Sequence, residues 1–161
     1  MKYIIHYLNF LQRFGVSIVN LGLFNSFKIV FLKFFPDKKI SKISSKKFGH
    51  IHWRSYYDYG VISHFFFPQV GFVTKNDPPK VIFDVGANIG IESLRFIKLF
   101  PNSKLIAIEP ELSNFKLLEK NLKNYKNCII VNKAVWNKKS NLSIINHSEK
   151  NSQTTGLVKI P

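Results

Sequence analysis

Acidic residues, cysteines and long apolar runs are scarce in this 161-residue sequence, and each scarcity excludes something. The single cysteine, Cys128, rules out an internal disulfide; it falls in a predicted buried strand, which favours a reducing compartment and an inert thiol. The five histidines have no cysteine or acid partner at a recognised ligand interval, so the sequence gives no support for a metal ion.

The first 35 residues are apolar, yet they lack the uninterrupted run of a membrane span. Polar side chains break the pattern between Tyr3 and Phe35, so no window of about 20 apolar residues exists. Only Lys2 precedes the apolar part and no small-residue cleavage site follows, which argues against a secretory signal. The pattern predicts one or two amphipathic helices, which either pack on the rest of the chain or lie on a membrane surface.

The scarcity of acids leaves a formal net charge of +15, and the excess is greatest at the start of the chain. Residues 1–57 contain ten Lys and Arg against the single acid Asp37, a net charge of +9. An AT-rich coding sequence explains part of this bias, because Lys, Asn, Ile and Phe are abundant together. Among functional explanations we favour an anionic membrane or glycan and expect no nucleic-acid partner. The expected location is the cytoplasm, with peripheral contact at the inner face of the membrane as an alternative.

Composition divides the chain into three parts. Residues 1–48 form a basic amphipathic extension, in which the polar stretch 37–47 resembles an exposed connection. Residues 49–79 are dense in aromatic side chains and are predicted to pack on the core, ending at the prolines 78 and 79. Residues 80–161 hold the predicted α/β domain.

Strand-like and helix-like segments alternate in this last part. The pattern predicts three strands near residues 80–84, 104–108 and 128–132, two helices near 89–100 and 111–124, and a shorter strand over Leu142 to Ile145. Such alternation is typical of a parallel sheet, and right-handed crossovers place the turns after the strands at one edge. The predicted class is therefore α/β, with the first βαβαβ half of a Rossmann-like sheet.

A carboxylate follows each of the first two strands. Asp84 ends the first and is followed by a turn with two glycines, Gly86 and Gly90; Glu109 ends the second. Glycine lets the backbone approach a ligand closely, and an acid at the end of the second strand binds ribose hydroxyls in folds of this kind. The sequence therefore predicts a nucleotide-cofactor site at this edge.

The spacing of the glycines discriminates between cofactors. A dinucleotide site requires G-x-G-x-x-G, and placing its first glycine on Gly86 puts Asn88 and Ile91 where the others belong. The observed D-x-G-x-N-x-G suits S-adenosylmethionine, with Asp84 near its methionyl end and Glu109 on its ribose.

Four segments resemble the FkbM-type methyltransferases, a branch of the class I S-adenosylmethionine-dependent enzymes. They are DVGANIG, AIEP, NFKLLEKN and IIVNKAVWN, within a resemblance that covers about residues 80–158, including a polar stretch over Asn151 to Leu157 like the family's weakly ordered insertion. A looser similarity includes Trp53, Arg54, Ser55 and Asp58 upstream.

The resemblance implies a role for eight residues and a reaction. The cofactor turn would consist of Asp84, Gly86, Ala87, Asn88 and Gly90, Glu109 would bind the ribose, and Asn132 and Ala134 would lie near the adenine. Enzymes of this kind transfer a methyl group to a hydroxyl oxygen, often on a sugar or polyketide-like product. The catalytic base is left unassigned; His52 and His64 are weak candidates, for which packing or surface roles are favoured.

Simpler structural explanations exist for several of these residues. Asp84 could only cap the next turn, Glu109 could only precede a proline-started helix, and Trp136 could cover the sheet edge instead of stacking on adenine. Arg54 and Asp58 could form an ordinary loop ion pair or contact substrate, and the sequence does not favour either.

The resemblance lacks the family's downstream motif, an acid-containing strand with a glutamate-glycine turn. Without a fourth strand, the Lys80 to Asp84 strand would be an open edge that invites pairing with another chain. We therefore expect a truncated product or the first portion of a longer enzyme, with doubtful activity of its own, unless the upstream segment supplies a strand. Two rival functions are a non-catalytic cofactor-binding module, or partner of a second chain that completes the sheet, and a membrane-surface interaction module.

Overall fold

The computed structural model describes residues 2–35, 39–66, 77–138, 142–146 and 155–159. The described residues form a mixed α/β structure. Its elements in chain order are α1 Lys2–Leu21, α2 Leu23–Phe34, β1 Ile40–Ser45, β2 Gly49–Arg54, α3 Tyr59–Ile62 with a 3-10 turn Ser63–Phe66, β3 Val81–Val85, α4 Ile91–Leu99, β4 Lys104–Ile108, α5 Leu112–Leu122, β5 Cys128–Val131, β6 Leu142–Asn146 and β7 Thr155–Lys159.

The predicted βαβαβ unit is confirmed. Strands β3, β4 and β5 form a parallel sheet in that order, with Phe83 opposite Ile106 and Ile106 opposite Ile129. Helices α4 and α5 connect the strands, and one face of the sheet packs into the core through Ile82, Leu105, Ala107, Cys128 and Ile130. The strands are mainly apolar, as in a parallel sheet buried on both faces, but among the described residues only the face that the helices cover is buried.

Strand β3 is an edge strand within the described part of the chain. It pairs with β4 on one side, and the upstream strands β1 and β2 form a separate antiparallel sheet, so they do not extend it. Val81, Phe83 and Val85 point away from the helices and are exposed, Phe83 to 63% of its surface. The expected open edge is thus confirmed for these residues.

The two N-terminal helices are confirmed. Gly22, at φ 88°, separates α1 from α2, a conformation that glycine adopts without steric cost. Buried hydroxyls join the helices, because the Oγ atoms of Ser17 and Ser26 are 2.7 Å apart. The Asn20 amide donates to the Phe65 carbonyl at 3.0 Å, which fastens α1 to the segment after α3. No described helix is both long and apolar enough to cross a bilayer.

The prediction that residues 37–47 form an exposed connection is wrong for residues 40–45. Residues 40–45 form β1, which pairs antiparallel with β2 across a turn that contains the predicted boundary between residues 48 and 49. Ile43 and Ser45 are buried, Ser45 Oγ donates to the Asn20 carbonyl of α1, and the side chains of Asn25 and Lys28 of α2 donate to carbonyls of β1. Strand β1 therefore has only two inward-facing residues, Ile43 and Ser45, and the helices that cover it contribute to its stability.

The aromatic segment supplies a large part of the core. Phe48, Trp53 and Phe65 are fully buried, and the Asn121 amide of α5 donates to the carbonyls of His52 and Ile89. The predicted packing on the α/β unit is therefore observed for β2, whereas residues 67–76 lie outside the described part. The predicted strand at residues 142–145 is confirmed as β6, and residues 155–159 form its partner β7 in part of the predicted polar insertion.

Replacing Gly90 by alanine tests the packing between the turn after β3 and helix α5. Gly90 has φ 87°, and a Cβ would lie 2.7 Å from Leu118 Cδ1. We expect Gly90→Ala to lower the free energy of unfolding by about 2–3 kcal/mol, measured by urea denaturation. Gly15→Ala is the control: Gly15 lies within α1 with open space around it, so alanine should raise stability by roughly 0.5–1 kcal/mol. Equal effects of the two changes would contradict this explanation.

Candidate functional site at the carboxyl edge of the parallel sheet

The turn between β3 and α4 contains three residues with positive φ. Gly86 has φ 80°, Asn88 φ 51° and Gly90 φ 87°. Asparagine is among the few residues other than glycine that adopt this region readily, which explains Asn88 in the second position. Gly86 and Asn88 keep contact with solvent, whereas Ala87 and Gly90 are buried. Gly86 and Asn88 are therefore the residues of this turn that a ligand can reach.

The backbone N–H groups of residues 86 to 90 all donate within the protein. Gly86 and Ala87 donate to the Ile108 carbonyl at 2.9 and 3.0 Å, Asn88 to Glu109 Oε2 at 2.8 Å, Ile89 to Asn88 Oδ1 at 2.8 Å, and Gly90 to the Ala87 carbonyl at 2.8 Å. A phosphate group binds such a turn through N–H groups that have no other partner. The N–H groups of this turn would therefore have to leave their present partners before they could bind a phosphate group.

Glu109 is the most buried carboxylate of this edge, with 5% of its surface exposed. Its Oε2 accepts from the Asn88 N–H at 2.8 Å and its Oε1 from the Glu111 N–H at 2.9 Å. Burial raises the pKa of Glu109, and these hydrogen bonds and the nearby Asn114 side chain oppose the shift. A carboxylate offers about four lone-pair positions, and the two backbone N–H groups occupy two of them, so about two remain for hydroxyl groups.

Asp84 contacts the first turn of α4. Its Oδ2 accepts from the Ser93 hydroxyl at 2.5 Å. Burial is the largest influence on this group and raises the pKa of Asp84, with a further upward contribution from Glu92. Asp84 therefore has a structural partner in α4, and both its capping of the turn and its role at a cofactor stay predictions.

The ion pair of Arg54 and Asp58 is part of a larger network. Asp58 is fully buried and accepts from Arg54 through both oxygens, at 2.9 Å from Nε and 2.7 Å from an NH2 nitrogen. The same guanidinium donates to Ser113 Oγ at 2.8 Å and to Asn114 Oδ1 at 2.6 Å. Because Asn114 also contacts Glu109, the pair supports the acid at the end of β4 through one intermediate side chain.

Three residues of this network were absent from the prediction, Glu111, Ser113 and Asn114. Glu111 caps α5, because its carboxylate accepts from the backbone N–H groups of Ser113 and Asn114. Glutamate is not among the usual N-cap residues, so the sequence signalled only that an acid at this position suits the helix dipole. Nothing in the local sequence indicated that Asn114 would face Glu109.

The third strand contributes Asn132 to the same edge. Its amide donates to the carbonyls of Glu109 and Pro110, at 2.8 and 3.1 Å, so it holds the segment that carries the acid. Ala134 is half-buried and Trp136 is exposed, two residues further along. The structure thus brings Glu109 and Asn132 together; the predicted adenine contacts of Asn132 and Ala134 stay predictions.

The remaining candidate groups have structural partners. The ring nitrogen Nδ1 of His64 lies 2.8 Å from Glu92 Oε1, and Arg95 binds the same oxygen. His52 is bound to Asn121, and burial, with Lys120 second, lowers the pKa of its ring. Burial raises the pKa of the Cys128 thiol to about 11, which keeps it protonated at neutral pH. An inert thiol is what the sequence predicted.

Comparison of the chain with protein-family models, with curated proteins and with solved structures gives no match.

Asp58→Asn tests the network behind Glu109. The change leaves the guanidinium of Arg54 without its buried counter-charge, which typically costs about 3–5 kcal/mol, and we expect a loss in this range on urea denaturation. Glu119→Gln, on the exposed side of α5, is the control and should change the free energy of unfolding by less than about 0.5 kcal/mol. A similarly small effect of Asp58→Asn would show that the network is not needed for stability.

Asp84→Asn tests whether burial raises the pKa of Asp84, through the pH dependence of stability. A carboxyl with a raised folded-state pKa favours folding most when protonated, below the ordinary value of about 4, and that contribution is lost as pH rises through the raised pKa. Asparagine can still accept from Ser93 without a charge. The stability of Asp84→Asn relative to the original chain should therefore increase between pH 4 and 7, as measured by thermal denaturation. A difference that is constant over this range would contradict a raised pKa.

Proposed function

We propose that this chain binds S-adenosylmethionine at the carboxyl edge of β3, β4 and β5, as the first half of a Rossmann-like, FkbM-type methyltransferase fold. The observation that carries the proposal is the bond between Glu109 Oε2 and the Asn88 N–H. It holds the acid of the second strand directly beside the glycine turn of the first. An adenosine ribose lying over the Gly86 to Asn88 backbone would have this acid within hydrogen-bond reach.

The chemistry of the turn supports this cofactor over a dinucleotide. S-Adenosylmethionine has no phosphate, and the N–H groups of residues 86 to 90 are already bonded within the protein. A Cβ at Gly86 would meet no atom within 4 Å, so the turn is open to a ligand at this position. The residues present therefore fit adenosine with its methionine side chain and give little support for a pyrophosphate.

Each site residue has a defined task in this proposal. Glu109 accepts hydrogen bonds from the ribose hydroxyls at the lone pairs that the Asn88 and Glu111 N–H groups leave open. Asp84 orders the start of α4 and faces the positively charged methionyl end. Asn132 keeps the Glu109 segment in place, and Ala134 adjoins the adenine.

When bound, the sulfonium cofactor supplies an electrophilic methyl carbon. The proposed acceptor is a hydroxyl oxygen of a sugar or another small molecule, which must lie in line with that carbon and lose its proton to a base. We assign no residue of the described part to that base. His64 is held by Glu92 in the first turn of α4, and His52 by Asn121 in the last turn of α5.

The exposed edge strand favours a second candidate, a cofactor-binding module that needs another chain. Val81, Phe83 and Val85 leave one face and one edge of β3 without a partner among the described residues. A second polypeptide that adds strands there would complete the sheet. In that case the chain alone binds the cofactor and shows no turnover.

Calorimetry with S-adenosylhomocysteine tests the assignment of Glu109. Loss of the charged acceptor in Glu109→Gln should weaken binding by about tenfold or more, because hydrogen bonds to charged groups contribute roughly 1.5–3 kcal/mol. Glu111→Gln is the matched control: it disturbs the same helix start without altering a carboxylate beside the turn, and should leave the Kd within about threefold.

A ligand change separates a direct contact from a structural one. An S-adenosylhomocysteine analogue without the bonded ribose hydroxyl should bind the original chain and Glu109→Gln equally weakly. The cofactor proposal would be overturned if the folded chain did not bind S-adenosylhomocysteine. It would also be overturned if Glu109→Gln left the Kd for S-adenosylhomocysteine unchanged.

A further inference from the structure

Helix α2 is apolar on two opposite sides, and the fold covers one of them. Ser26 and Ile29 are buried against α1 and β1. The other side exposes a row of aromatic rings at helical spacing, which we call the phenylalanine stripe: Phe24, Phe27, Phe31, Phe34 and Phe35. Phe24 is 90% exposed and Phe31 60% exposed. A helix that is apolar on a second side favours an apolar partner there too.

The stripe continues into a cleft with a volume of about 290 Å³ between α1, α2 and α3. Phe34 belongs to both, and the other lining residues are Phe10, Arg13, Val30, Lys33, Tyr59 and Ser63. The Lys33 ammonium lies 5.7 Å from the Tyr59 ring centroid, so its charge is held at this cleft. Two cations thus lie beside the apolar stripe, where an anionic group could contact both.

Among the described residues, the charge around this surface is of one sign. Helices α1 and α2 contain no aspartate or glutamate, Asp58, the acid next to α3, is bound by Arg54, and Asp37 lies outside the described part. Exposed phenylalanines flanked by cations alone are typical of helices that lie in a membrane interface, whereas docking on a protein partner would not require this uniform charge.

We propose that the phenylalanine stripe and the adjoining cleft form a docking surface for an anionic lipid bilayer. The rings of α2 enter the boundary between headgroups and acyl chains, and Arg13 and Lys33 contact lipid phosphates. Helix α2 then lies parallel to the membrane plane, which agrees with its length of 12 residues, too short to span a bilayer. This surface is separate from the carboxyl edge of the parallel sheet, so the proposal does not depend on the cofactor.

Vesicle co-flotation of the full chain tests the docking surface. Vesicles of phosphatidylcholine with phosphatidylglycerol should bind the chain, and phosphatidylcholine alone should bind it at least about tenfold more weakly. Raising the salt from about 0.1 to 1 M shortens the Debye length from about 10 to 3 Å and should weaken binding to the anionic vesicles. Equal binding to both vesicle types, or none to either, would overturn the proposal.

Matched variants locate the surface. Phe24→Ser combined with Phe31→Ser should weaken vesicle binding by at least about tenfold. Phe83→Ser removes an equally exposed ring from β3 and should change binding by less than about twofold. Lys33→Gln should weaken vesicle binding about fivefold. Lys116→Gln, at an exposed position of α5, should leave vesicle binding unchanged. Circular dichroism confirms that each variant is folded.

Three outcomes would contradict the assignment. An effect of Phe83→Ser equal to that of the double variant would show that any exposed ring binds lipid. Salt-dependent binding to duplex DNA without vesicle binding would mean that the basic charge serves a nucleic acid. Unchanged flotation of the double variant would exclude the phenylalanine stripe.

Discussion

The buried carboxylate of Glu109 is the junction on which the candidate site depends. It receives the N–H of Asn88 from the turn after β3 and the N–H of Glu111 from the start of α5, and Asn114 joins it to Arg54 and Asp58. A charge in this position is stable only because each side is hydrogen-bonded. The same carboxylate therefore organises the fold and, in our proposal, binds the ribose, and the two tasks compete for its few lone pairs.

In the described part of the chain, the parallel sheet and helix α2 each leave a surface without a partner. Strand β3 is the edge of the sheet and exposes the apolar side chains of Val81 and Phe83. Helix α2 exposes aromatic rings beside cations. An open strand edge is suited to backbone pairing with another chain. A cationic aromatic helix is suited to a lipid interface. If both surfaces are used, the proposed cofactor edge would belong to an assembly held at a membrane.

The sequence predicted local features well and tertiary contacts poorly. The alternation of apolar strands and amphipathic helices, and the carboxylates after β3 and β4, could be read from spacing alone. The partners of Glu109 could not, because the bond to Asn88 joins positions 21 residues apart and arises from the packed strands. Strand β1 was missed since only Ile43 and Ser45 face inward among lysines and serines. Gly90 was assigned to the cofactor turn, and a Cβ at this position would meet Leu118 of α5, a proximity that no sequence motif encodes.

Amide NMR of the labelled chain during titration with S-adenosylhomocysteine tests the central claim most directly. The proposal predicts shifts concentrated at Gly86, Asn88 and Glu109, with residues of α1 and α2 unchanged. Shifts confined to the cleft beside α2, or none at a ligand concentration well above the protein's, would contradict a cofactor site at the carboxyl edge of the sheet.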